Sequence, residues 1–408
     1  MAFLLAVTIR FPGLKRDSER SHVVRGRRSV SIRVLLRCAL PALAIGLAVL
    51  VPAAAGAPPR IAAQAYVVRG SVDGGVLAER RPEQRRPLAS ITKLMTVLVA
   101  LERSRLDDVV VVSPQAAGIG ESTIFLRPGE RVTVRDLAIG ALVPSANDAA
   151  TALAVHAGGG SVARFVALMN ARARALGLRD THFSNPHGLD QQGHYSSAQD
   201  IVALLTAALR VPFIREWSGR RSATIAGGRF VESTDDLIDT LPGFVGGKTG
   251  HTDGAGWSQV AAAQAAGARV TAAVLGSPTE EQRNRDLEAL LRFGLAQYRP
   301  ILAIDASRTY AVARTGYGRP DVRLVAPRTV VRVARNGRPL LERVVVPSAL
   351  ALPVRAGRQF GEVRVYDGRR LVARAPLVAD RSVTEPGSFG KIGWYARRTV
   401  HHLVGFVT

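Results

Sequence analysis

The stretch Ala89-Ser90-Ile91-Thr92-Lys93-Leu94-Met95-Thr96 decides how the rest of the chain is interpreted. The hydroxyl of Ser90 and the amine of Lys93 are three positions apart. An almost wholly apolar run follows Lys93 and ends at Leu101. This run predicts a buried helix. Residues three apart share a helix face, and free N–H groups of a first turn favour developing negative charge. Ser90 and Lys93 are therefore expected side by side, as a serine nucleophile with an amine base.

The scarcity of lysine strengthens this interpretation. An N-cap serine and a solvated lysine are common on helices, so the tetrapeptide alone is a weak signal. Of the 55 lysines and arginines only four are lysine, and Lys93 and Lys248 are the only ones from Arg60 to Gly390. Arginine stays protonated, whereas a desolvated lysine can lose its proton and act as a base. The pattern indicates that the amine itself matters at these two positions.

Length, composition and charge limit the class of protein. With 408 residues, 47% of them hydrophobic, the chain has room for two domains and a large core. Its net charge of +23 indicates anionic surroundings. No nucleic-acid recognition motif stands out, and 5% aromatic residues is low for base stacking. We therefore expect no nucleic-acid partner, and favour an anionic lipid surface or wall polymer.

The N-terminus predicts export. Arg25 to Arg37 is rich in arginine, Ala39 to Val51 is uncharged and apolar, and Pro52 to Ala57 supplies small residues for cleavage. This is the order of a secretory signal peptide, with an uncleaved signal anchor as the alternative. Residues 1–57 are therefore assigned to an N-terminal extension and signal peptide. Cys38 is the only cysteine, so the mature chain would have no disulfide and no cysteine-based zinc site.

Two further regions and a tail follow. Mixed helix and strand patterns predict one domain over 60–298, with a boundary at Arg299-Pro300. Beyond it, β-branched runs with hairpin turns at Asn336-Gly337 and Asp367-Gly368 predict a small all-β domain over 305–385.

The tail over 388–408 has the pattern of a short basic amphipathic helix. The side chains on its apolar side are Ile392, Tyr395, Ala396, Thr399, Leu403, Phe406 and Val407. Those on its polar side are Lys391, Arg397, Arg398, His401 and His402. Such a helix is suited to lying in a membrane interface, and the alternative is a helix docked on its own protein.

Two short motifs complete the candidate site. Ser145-Ala146-Asn147 offers a hydroxyl that could relay a proton and an amide that could orient a substrate carbonyl. Lys248-Thr249-Gly250 follows Gly246-Gly247, so a substrate backbone could approach this predicted strand closely. Lys248 and Thr249 would present a cation and a hydroxyl to a substrate carboxylate.

Three histidines, His182, His187 and His194, lie in one predicted loop. Their spacings of five and seven match no common helical ligand pattern, and no acidic residue is clearly paired with them. We therefore expect a hydrogen-bonded loop rather than a metal site. No metal and no cofactor is predicted.

The three motifs, in this order, resemble those of penicillin-binding proteins and serine β-lactamases. The sequence around these motifs resembles that of the low-molecular-weight D-alanyl-D-alanine carboxypeptidases. The segments that carry this resemblance are Pro87 to Thr96, Pro144 to Ala150, Thr181 to Leu189 and Gly247 to Thr252. The resemblance covers roughly Ala65 to Tyr298. It implies a mixed α/β (α+β) catalytic domain like that of penicillin-binding proteins and serine β-lactamases, with an antiparallel sheet and a helical subdomain. The β-rich domain and amphipathic tail match that family's usual appendages in kind.

The resemblance also implies residue roles. Ser90 would attack the penultimate D-alanine carbonyl of a peptidoglycan stem peptide, Lys93 would be its base, and Ser145 would pass the proton to the leaving amine. The side chains that would bind substrate are Asn147 for the amide and Lys248 and Thr249 for the terminal carboxylate, beside Gly250. The backbone N–H groups of Ser90 and His251 would form the oxyanion hole. β-Lactam antibiotics would acylate Ser90, and the enzyme would act in cell-wall synthesis and cell shape, peripherally attached to the outer face of the cytoplasmic membrane.

Three alternatives remain from the sequence. A D,D-endopeptidase that cuts peptidoglycan cross-links would have the same motifs. A β-lactamase of the class A type would need a glutamate between the second and third motifs, and none occurs from Arg131 to Arg215. A non-enzymatic wall-binding protein would have no reason to keep the motifs intact.

Overall fold

The computed structural model describes residues 4–8 and 56–404. The predicted signal peptide therefore lies almost entirely outside the described residues, as do the last four residues of the predicted tail helix. What is described forms two compact units. The first unit consists of 56–302 together with Val331–Asn336, and the second of 4–8, Ala303–Val330 and 337–404.

The elements are numbered in chain order. The strands are β1 (Leu4–Thr8), β2 (Ala65–Gly70), β3 (Val76–Arg80), β4 (Val109–Val111), β5 (Arg131–Thr133), β6 (Ser222–Ile225), β7 (Arg229–Glu232), β8 (Phe244–Gly250), β9 (Trp257–Ala265), β10 (Ala268–Ser277), β11 (Tyr298–Ile304), β12 (Thr309–Thr315), β13 (Val322–Val325), β14 (Val330–Arg335), β15 (Leu340–Pro347), β16 (Ala349–Leu350), β17 (Gln359–Asp367) and β18 (Arg370–Ala379). The α-helices are α1 (Lys93–Arg103), α2 (Pro114–Ala117), α3 (Val134–Leu142), α4 (Asn147–Ala157), α5 (Val162–Ala175), α6 (Ala198–Ala208), α7 (Pro212–Trp217), α8 (Leu237–Thr240), α9 (Glu280–Ala296) and α10 (Ser388–Val404). Two short 3₁₀ helices cover Ala89–Thr92 and Ala226–Gly228.

The first unit is built on a five-stranded antiparallel sheet in the order β3-β2-β10-β9-β8. Strands β2 and β3 form an antiparallel hairpin around Asp73-Gly74-Gly75. Strand β8, which carries Lys248-Thr249-Gly250, lies at one edge of the sheet. Within 4–8 and 56–404, one of its sides therefore has no neighbouring strand.

Helices cover both faces of this sheet. On one face, Val67, Val260 and Ala273 pack in a large core with helices α1 and α3 to α6. On the other, Val68, Val270 and Ala272 pack against Leu287, Leu290 and Leu291 of α9. The strands alternate in burial because side chains two residues apart share a face. The sheet is thus buried on both sides, with the helical part of the unit on the first face.

Side-chain oxygens cap the first turns of α3 and α5. Thr133 Oγ1 accepts a hydrogen bond from the backbone N–H of Asp136 at 3.1 Å, and Ser161 Oγ from that of Arg164 at 3.2 Å. Each bond satisfies one of the donors that a helix start leaves unpaired. The predicted buried helix after Ser90 is α1, whose residues Lys93 to Ala100 are all buried.

Three predictions differ from the structure. Ser90 lies in a 3₁₀ turn that precedes α1 rather than in the first turn of the α-helix itself. Strand β11 runs through Arg299-Pro300, where a domain boundary was predicted, and the two units divide shortly after it, between Leu302 and Ala303. Asn336-Gly337 does not close a hairpin, because β14 pairs with β11 whereas β15 lies in the sheet of the second unit. By contrast, the predicted turn Asp367-Gly368 joins the antiparallel pair β17 and β18.

The second unit contains a seven-stranded sheet in the order β1-β15-β17-β18-β13-β12-β16. Its last helix is α10, where the sequence predicted an amphipathic helix. Among the described residues, no single helix has both the length and the apolar composition of a membrane span. One pair, α4 and α5, reaches them only together and across an 89° bend.

Candidate active site

The 3₁₀ turn over Ala89–Thr92 places Ser90 immediately before α1 and brings it to Lys93. The distance between Lys93 Nζ and Ser90 Oγ is 2.6 Å, which is a short hydrogen bond. Ala89 has φ +49°, a left-handed conformation that is uncommon for a residue with a side chain. The structure therefore brings together the two groups that the sequence set three residues apart.

The environment of Lys93 favours a neutral amine. Its side chain is fully buried, and its Nζ makes a second hydrogen bond to the carbonyl of His187 at 2.9 Å. Burial lowers the pKa of Lys93 well below its ordinary value, and the positive charge of Lys248 lowers it further. An amine in this state can accept the proton of a hydroxyl that it touches.

The loop over 181–195 is bound to the start of α1 by side-chain hydrogen bonds. Thr96 Oγ1 donates to the carbonyl of Pro186 at 2.5 Å, next to the Lys93–His187 contact. His194 Nε2 lies 2.8 Å from Thr92 Oγ1. The loop thus contacts three residues at and just before the start of α1, namely 92, 93 and 96.

The hydrogen bonds of His194 determine its tautomer. Its Nδ1 accepts from the backbone N–H of Ser184 at 3.0 Å, so the proton of the neutral ring lies on Nε2. Nε2–H then donates to Thr92 Oγ1, which in turn donates to the carbonyl of Ala89 at 2.8 Å. Burial, with a smaller contribution from His182, lowers the pKa of His194 to about 4. A neutral histidine therefore fixes the strained residue that precedes the nucleophile.

Two glycines allow neighbouring segments to approach this turn. A Cβ at Gly188, where φ is +100°, would collide with the backbone of Ala89. A Cβ at Gly250 would lie 3.0 Å from the backbone nitrogen of Ser90 and 3.0 Å from the carbonyl of Leu88. The loop can therefore pack on the nucleophile turn only because residue 188 is glycine, and glycine at residue 250 lets the end of β8 approach the turn without a tight Cβ contact.

The second motif lies at the start of α4. Ser145 is buried and has φ +68°, and Asn147 is the first residue of the helix. Asn147 Nδ2 donates to the carbonyl of Gly120 at 3.0 Å, which orients the amide. Its Oδ1 is buried and has no hydrogen-bond partner within the described ranges. A buried acceptor without a partner is available to an N–H group of a ligand.

The third motif lies on the edge strand β8. Lys248 is buried, and its Nζ donates to the carbonyl of Thr249 at 3.1 Å. Burial lowers the pKa of Lys248 to about 7, although the carboxylate of Asp235 acts in the opposite direction. Thr249 Oγ1 lies 2.5 Å from Thr234 Oγ1. The strand thus presents a cation and a hydroxyl at adjacent positions.

A network of buried polar side chains supports β8 on the sheet face opposite the helical subdomain. Gln259 Nε2 donates to Asp235 Oδ1 at 2.6 Å, and the backbone N–H of Leu237 donates to the same oxygen at 3.1 Å. Burial raises the pKa of Asp235. Arg283 is buried nearby, with its guanidinium 5.5 Å from the ring centroid of Trp257. These residues hold the strand from the face opposite the helical subdomain.

The segment after β8 is held by Asp190. Its Oδ1 accepts from Thr252 Oγ1 at 2.8 Å and its Oδ2 from the backbone N–H of Gly254 at 2.9 Å. His251 stacks on Trp257 with ring centroids 4.1 Å apart. The backbone around His251 is therefore fixed both by the histidine loop and by β9.

Sequence reasoning identified the reactive groups but missed their supports. Asp190, His194 in its positioning role, Asp235 and Thr92 were not predicted, because each acts through a contact that is distant in the sequence. The adjacency of Gly188-Leu189-Asp190 to the histidines was the available signal. Of the described His, Cys, Asp and Glu side chains, no three converge on a point where a metal ion could bind.

The arrangement can carry out acyl transfer. It has a hydroxyl in contact with a buried amine, a second hydroxyl and an amide acceptor at a helix start, and a cation on a free strand edge. These are the parts needed to activate a nucleophile, orient a peptide and bind a negatively charged end.

Comparisons with known proteins agree with this chemistry. Residues 52–279 match the family profile described as D-alanyl-D-alanine carboxypeptidase. The carboxypeptidase DacD of Salmonella typhimurium is 33% identical over 359 residues, which cover 83% of this chain and 90% of that protein. Penicillin binding protein 5 of Haemophilus influenzae has a similar structure, with a TM-score of 0.60 at 30% identity over 81% of this chain and 100% of that one. A mutant of the Streptomyces K15 DD-transpeptidase has a TM-score of 0.56 at 31% identity over 58% of this chain and 99% of that one. The predicted fold class is confirmed by these solved structures.

Proposed function

The chain belongs to the D-alanyl-D-alanine carboxypeptidase family, and on this premise we propose that it removes the terminal D-alanine from peptidoglycan stem pentapeptides through an acyl-enzyme on Ser90. The observation that carries the proposal is the 2.6 Å contact between Ser90 Oγ and the fully buried amine of Lys93. The enzyme is a serine-type peptidase. Its chemistry needs no cofactor, because the base and the charge-stabilising groups are all supplied by the chain.

Acylation begins at Ser90. Its Oγ attacks the carbonyl carbon of the penultimate D-alanine while neutral Lys93 accepts the hydroxyl proton. The negative charge that develops on the carbonyl oxygen is stabilised by the backbone N–H groups of Ser90 and His251, each worth about 3 kcal/mol in other enzymes. The close packing of Gly250 on Ser90 supports this role, since it brings the two backbones together.

Proton delivery completes the first half of the reaction. The proton passes from Lys93 through Ser145 Oγ to the amine of the leaving D-alanine, the carbon–nitrogen bond breaks, and free D-alanine departs. Water then attacks the acyl carbon and gives a proton to Lys93, and the ester bond to Ser90 Oγ breaks. Lys93 returns the proton to Ser90 Oγ, and the shortened peptide is released with a free carboxylate. The burial of both Lys93 and Ser145 keeps bulk water away from this path.

Substrate recognition uses the other two motifs. The terminal carboxylate accepts hydrogen bonds from protonated Lys248 and from Thr249, and the substrate backbone lies along the free edge of β8. A substrate N–H group donates to the unpartnered Oδ1 of Asn147. β-Lactam antibiotics carry a carboxylate beside a reactive carbonyl and are expected to acylate Ser90 in the same way.

The direct test has two arms. The purified chain is incubated with a pentapeptide ending in D-Ala-D-Ala, and free D-alanine is measured. It is also labelled with a fluorescent penicillin. Ser90→Ala should abolish both signals, whereas Ser161→Ala, which changes a helix cap away from the site, should keep them. Labelling that persists in Ser90→Ala would exclude Ser90 as the nucleophile.

The same assays separate the alternatives. Faster cleavage of a cross-linked peptide dimer than of the pentapeptide would favour an endopeptidase. Rapid hydrolysis of the penicillin adduct would favour a β-lactamase. Absence of any labelling in the folded wild-type chain would favour a wall-binding protein without enzymatic activity.

The proposal includes attachment to an anionic membrane surface through α10, outside the cytoplasm. Phe389, Ile392 and Tyr395 are 92%, 65% and 56% exposed, at spacings that place them on one helix face. Exposed Arg397 and Arg398 supply positive charge near them. An apolar face bordered by cations fits the interface of an anionic bilayer.

Vesicle co-sedimentation tests this attachment. Ile392→Asp should weaken binding of the full chain to phosphatidylglycerol vesicles by about tenfold or more, because it places a carboxylate on the apolar face. Val312→Asp is the matched control, since Val312 is a similarly exposed apolar residue on β12. Equal binding of both variants would argue against α10 as the membrane contact.

A further inference from the structure

An arginine-lined cavity lies in the first unit, and none of its lining residues is proposed to act on substrate. Its volume is about 520 Å³, within the range of small-molecule sites. It is formed between the ends of β2 and β10 and the C-terminal end of α6. Three arginines line it, namely Arg69, Arg210 and Arg269.

The sheet brings two of these arginines to one face. Arg69 of β2 is directly opposite Thr271 of β10, and Arg269 is two residues before Thr271 on the same strand. Side chains two apart share a face, so Arg69, Thr271 and Arg269 lie on the same side of the sheet. Val202 and Thr206 of α6 line the opposite wall of the cavity.

The described residues do not neutralise the positive charge of the cavity. Among them, no aspartate or glutamate lines it. Among the described residues, none of the three arginines forms an ion pair within 4.0 Å. Asp73, in the bordering hairpin, accepts from Tyr298 Oη at 2.7 Å and faces Arg335 at 3.8 Å.

Two buried hydrogen-bond donors also belong to the arginines that line this cavity. The Nε atoms of Arg69 and Arg269 are both buried, and neither has a hydrogen-bond partner in the part of the chain that the structure describes. Arg269 uses its Nη2 for Gln264 Oε1 at 3.0 Å. A buried donor without an acceptor is destabilising, and two such donors beside one cavity point to a ligand that supplies acceptors.

The end of α6 does not account for these donors. Arginines near a helix C-terminus can bind its free carbonyls. Here the carbonyls of Leu205, Ala207 and Ala208 already accept backbone N–H bonds from Leu209, Arg210 and Val211. The structure records no hydrogen bond from Arg69 or Arg269 to α6 in the described residues.

We propose that this cavity binds a phosphate group, either free inorganic phosphate or a phosphate monoester, held by Arg69, Arg210 and Arg269. Guanidinium groups bind phosphate oxygens in pairs of parallel hydrogen bonds, and several arginines match the double charge of the group. A second cavity of about 780 Å³ shares Arg269 and adds Arg215 and Arg220, with one carboxylate, Glu216, paired to Arg220 at 3.1 Å. It gives room for the part of a monoester beyond its phosphate.

The site is tested by calorimetric titration of the full chain with inorganic phosphate and, separately, with glycerol 3-phosphate. The double variant Arg69→Gln/Arg269→Gln should bind both probes at least tenfold more weakly, and Arg210→Gln severalfold more weakly. Arg328→Gln, which changes an exposed arginine of the second unit, should bind as the wild type does. Equal affinity for the two probes would assign free phosphate as a sufficient ligand, and tighter glycerol 3-phosphate binding would assign a monoester.

Melting temperatures provide an independent readout. Phosphate should raise the melting temperatures of the wild type and of Arg210→Gln more than sodium chloride of equal ionic strength does. In the double variant, phosphate should raise the melting temperature by less than it does in the wild type. If the arginines only stabilise the fold, the double variant will melt lower but keep the phosphate response of the wild type. That result, or an equal response to chloride, would overturn the proposal. None of these readouts depends on catalysis by Ser90.

Discussion

Lys93 and Lys248 are both buried lysines, yet the proposed mechanism requires opposite charge states from them. Lys93 must be neutral to accept a proton, whereas Lys248 must be charged to bind a carboxylate. Burial lowers the pKa of both. Of the charges around each amine, the one with the largest effect lowers the pKa of Lys93 further, namely Lys248, whereas the one with the largest effect on Lys248, Asp235, raises its pKa. A bound substrate carboxylate would act in the same direction. The two roles are therefore separated by the neighbours of each amine rather than by its depth.

The first prediction concerns pH and Lys248. Because its pKa is about 7, kcat/KM for a D-Ala-D-Ala peptide should fall as the pH rises above about 7, where the free enzyme loses this charge. Arginine stays protonated to pH 12 or so, so Lys248→Arg should remove this decline even if its maximal rate is lower. D-Alanine release measured from pH 6 to 10 checks this.

Lys391→Arg is the control for this pH profile, since Lys391 lies on α10. It should keep the decline of the wild type. An identical decline in Lys248→Arg would show that another group causes it.

The second prediction concerns acid stability and His194. Its pKa is about 4 in the fold and about 6.5 when unfolded, so the unfolded chain binds the proton first as the pH falls. The stability is fully present above pH 6.5 and is lost progressively down to pH 4, by about 3 kcal/mol for this shift. Urea unfolding at pH 7 and pH 4.5 should therefore show a smaller loss in His194→Gln than in the wild type.

The control for His194 is His156→Gln, which changes a histidine at the end of α4. It should lose as much stability on acidification as the wild type. If His194→Gln loses just as much, the neutral histidine is not a source of the acid sensitivity.

At the scale of elements, the active site is formed where a loop, a helix start and a sheet edge meet. Two of the elements that bear the motifs have a strong local pattern, namely the apolar run of α1 and the glycine-flanked β8. The short pairs β4–β5 and β6–β7 were not predicted, because strands of three or four residues carry too little alternation. The prediction of a hairpin at Asn336-Gly337 was wrong because β14 pairs with β11, which is distant in the sequence, and not with β15.

The residues of the candidate site likewise divide into those that were predicted from the sequence and those that were missed. The reactive residues Ser90, Lys93 and Lys248 were identified from motif order and lysine scarcity. Asp190 and Asp235 were missed because their partners are 62 and 24 residues away, and no local pattern reports such contacts. The tautomer of His194 likewise follows only from the position of Ser184 across the folded loop.

The third prediction concerns Asp190 as a positioning residue. Asp190→Ala removes both hydrogen bonds that hold the segment after β8, so the backbone N–H of His251 should lose its fixed position. We expect kcat to fall about tenfold or more, with a smaller change in KM, because small displacements of a stabilising donor are costly. Steady-state kinetics and the penicillin acylation rate measure this effect.

Asp253→Ala is the matched control, because Asp253 is an exposed aspartate on the same segment. It should keep a near-normal rate. A kcat that falls equally in both variants would indicate general loosening of the segment rather than a role for Asp190.

At the scale of the molecule, the division into units does not follow the chain in a simple order. Val331–Asn336 returns to the first unit after 28 residues, Ala303–Val330, that belong to the second. There β14 pairs with β11, and Asn336 Nδ2 donates to the carbonyl of Ala296 at 2.7 Å, at the end of α9. The backbone N–H of Asn336 also donates to the carbonyl of Gln297 at 2.7 Å. A short, distant segment therefore completes the unit that carries the active site.

The fourth prediction follows from this segment. A fragment of residues 56–302 should melt below a fragment of 56–336, because it lacks β14 and the two bonds of Asn336. Hydrogen bonds contribute about 1 kcal/mol each, and 1 kcal/mol shifts the melting temperature of a domain of this size by about 2–4 °C. We expect a difference of about 5–10 °C by calorimetry. Equal melting temperatures would mean that Val331–Asn336 does not stabilise the unit.

The return of Val331–Asn336 also sets an order of events during biosynthesis. The N-terminal end of the chain emerges first, and residues 56–302 are complete well before residue 336 has been made. Throughout that interval β11 lacks its strand partner and the end of α9 lacks the cap from Asn336. The nucleophile, its base and the carboxylate-binding strand are thus all synthesised before the segment that completes their unit, so the unit reaches its final stability only once the following domain has begun to appear.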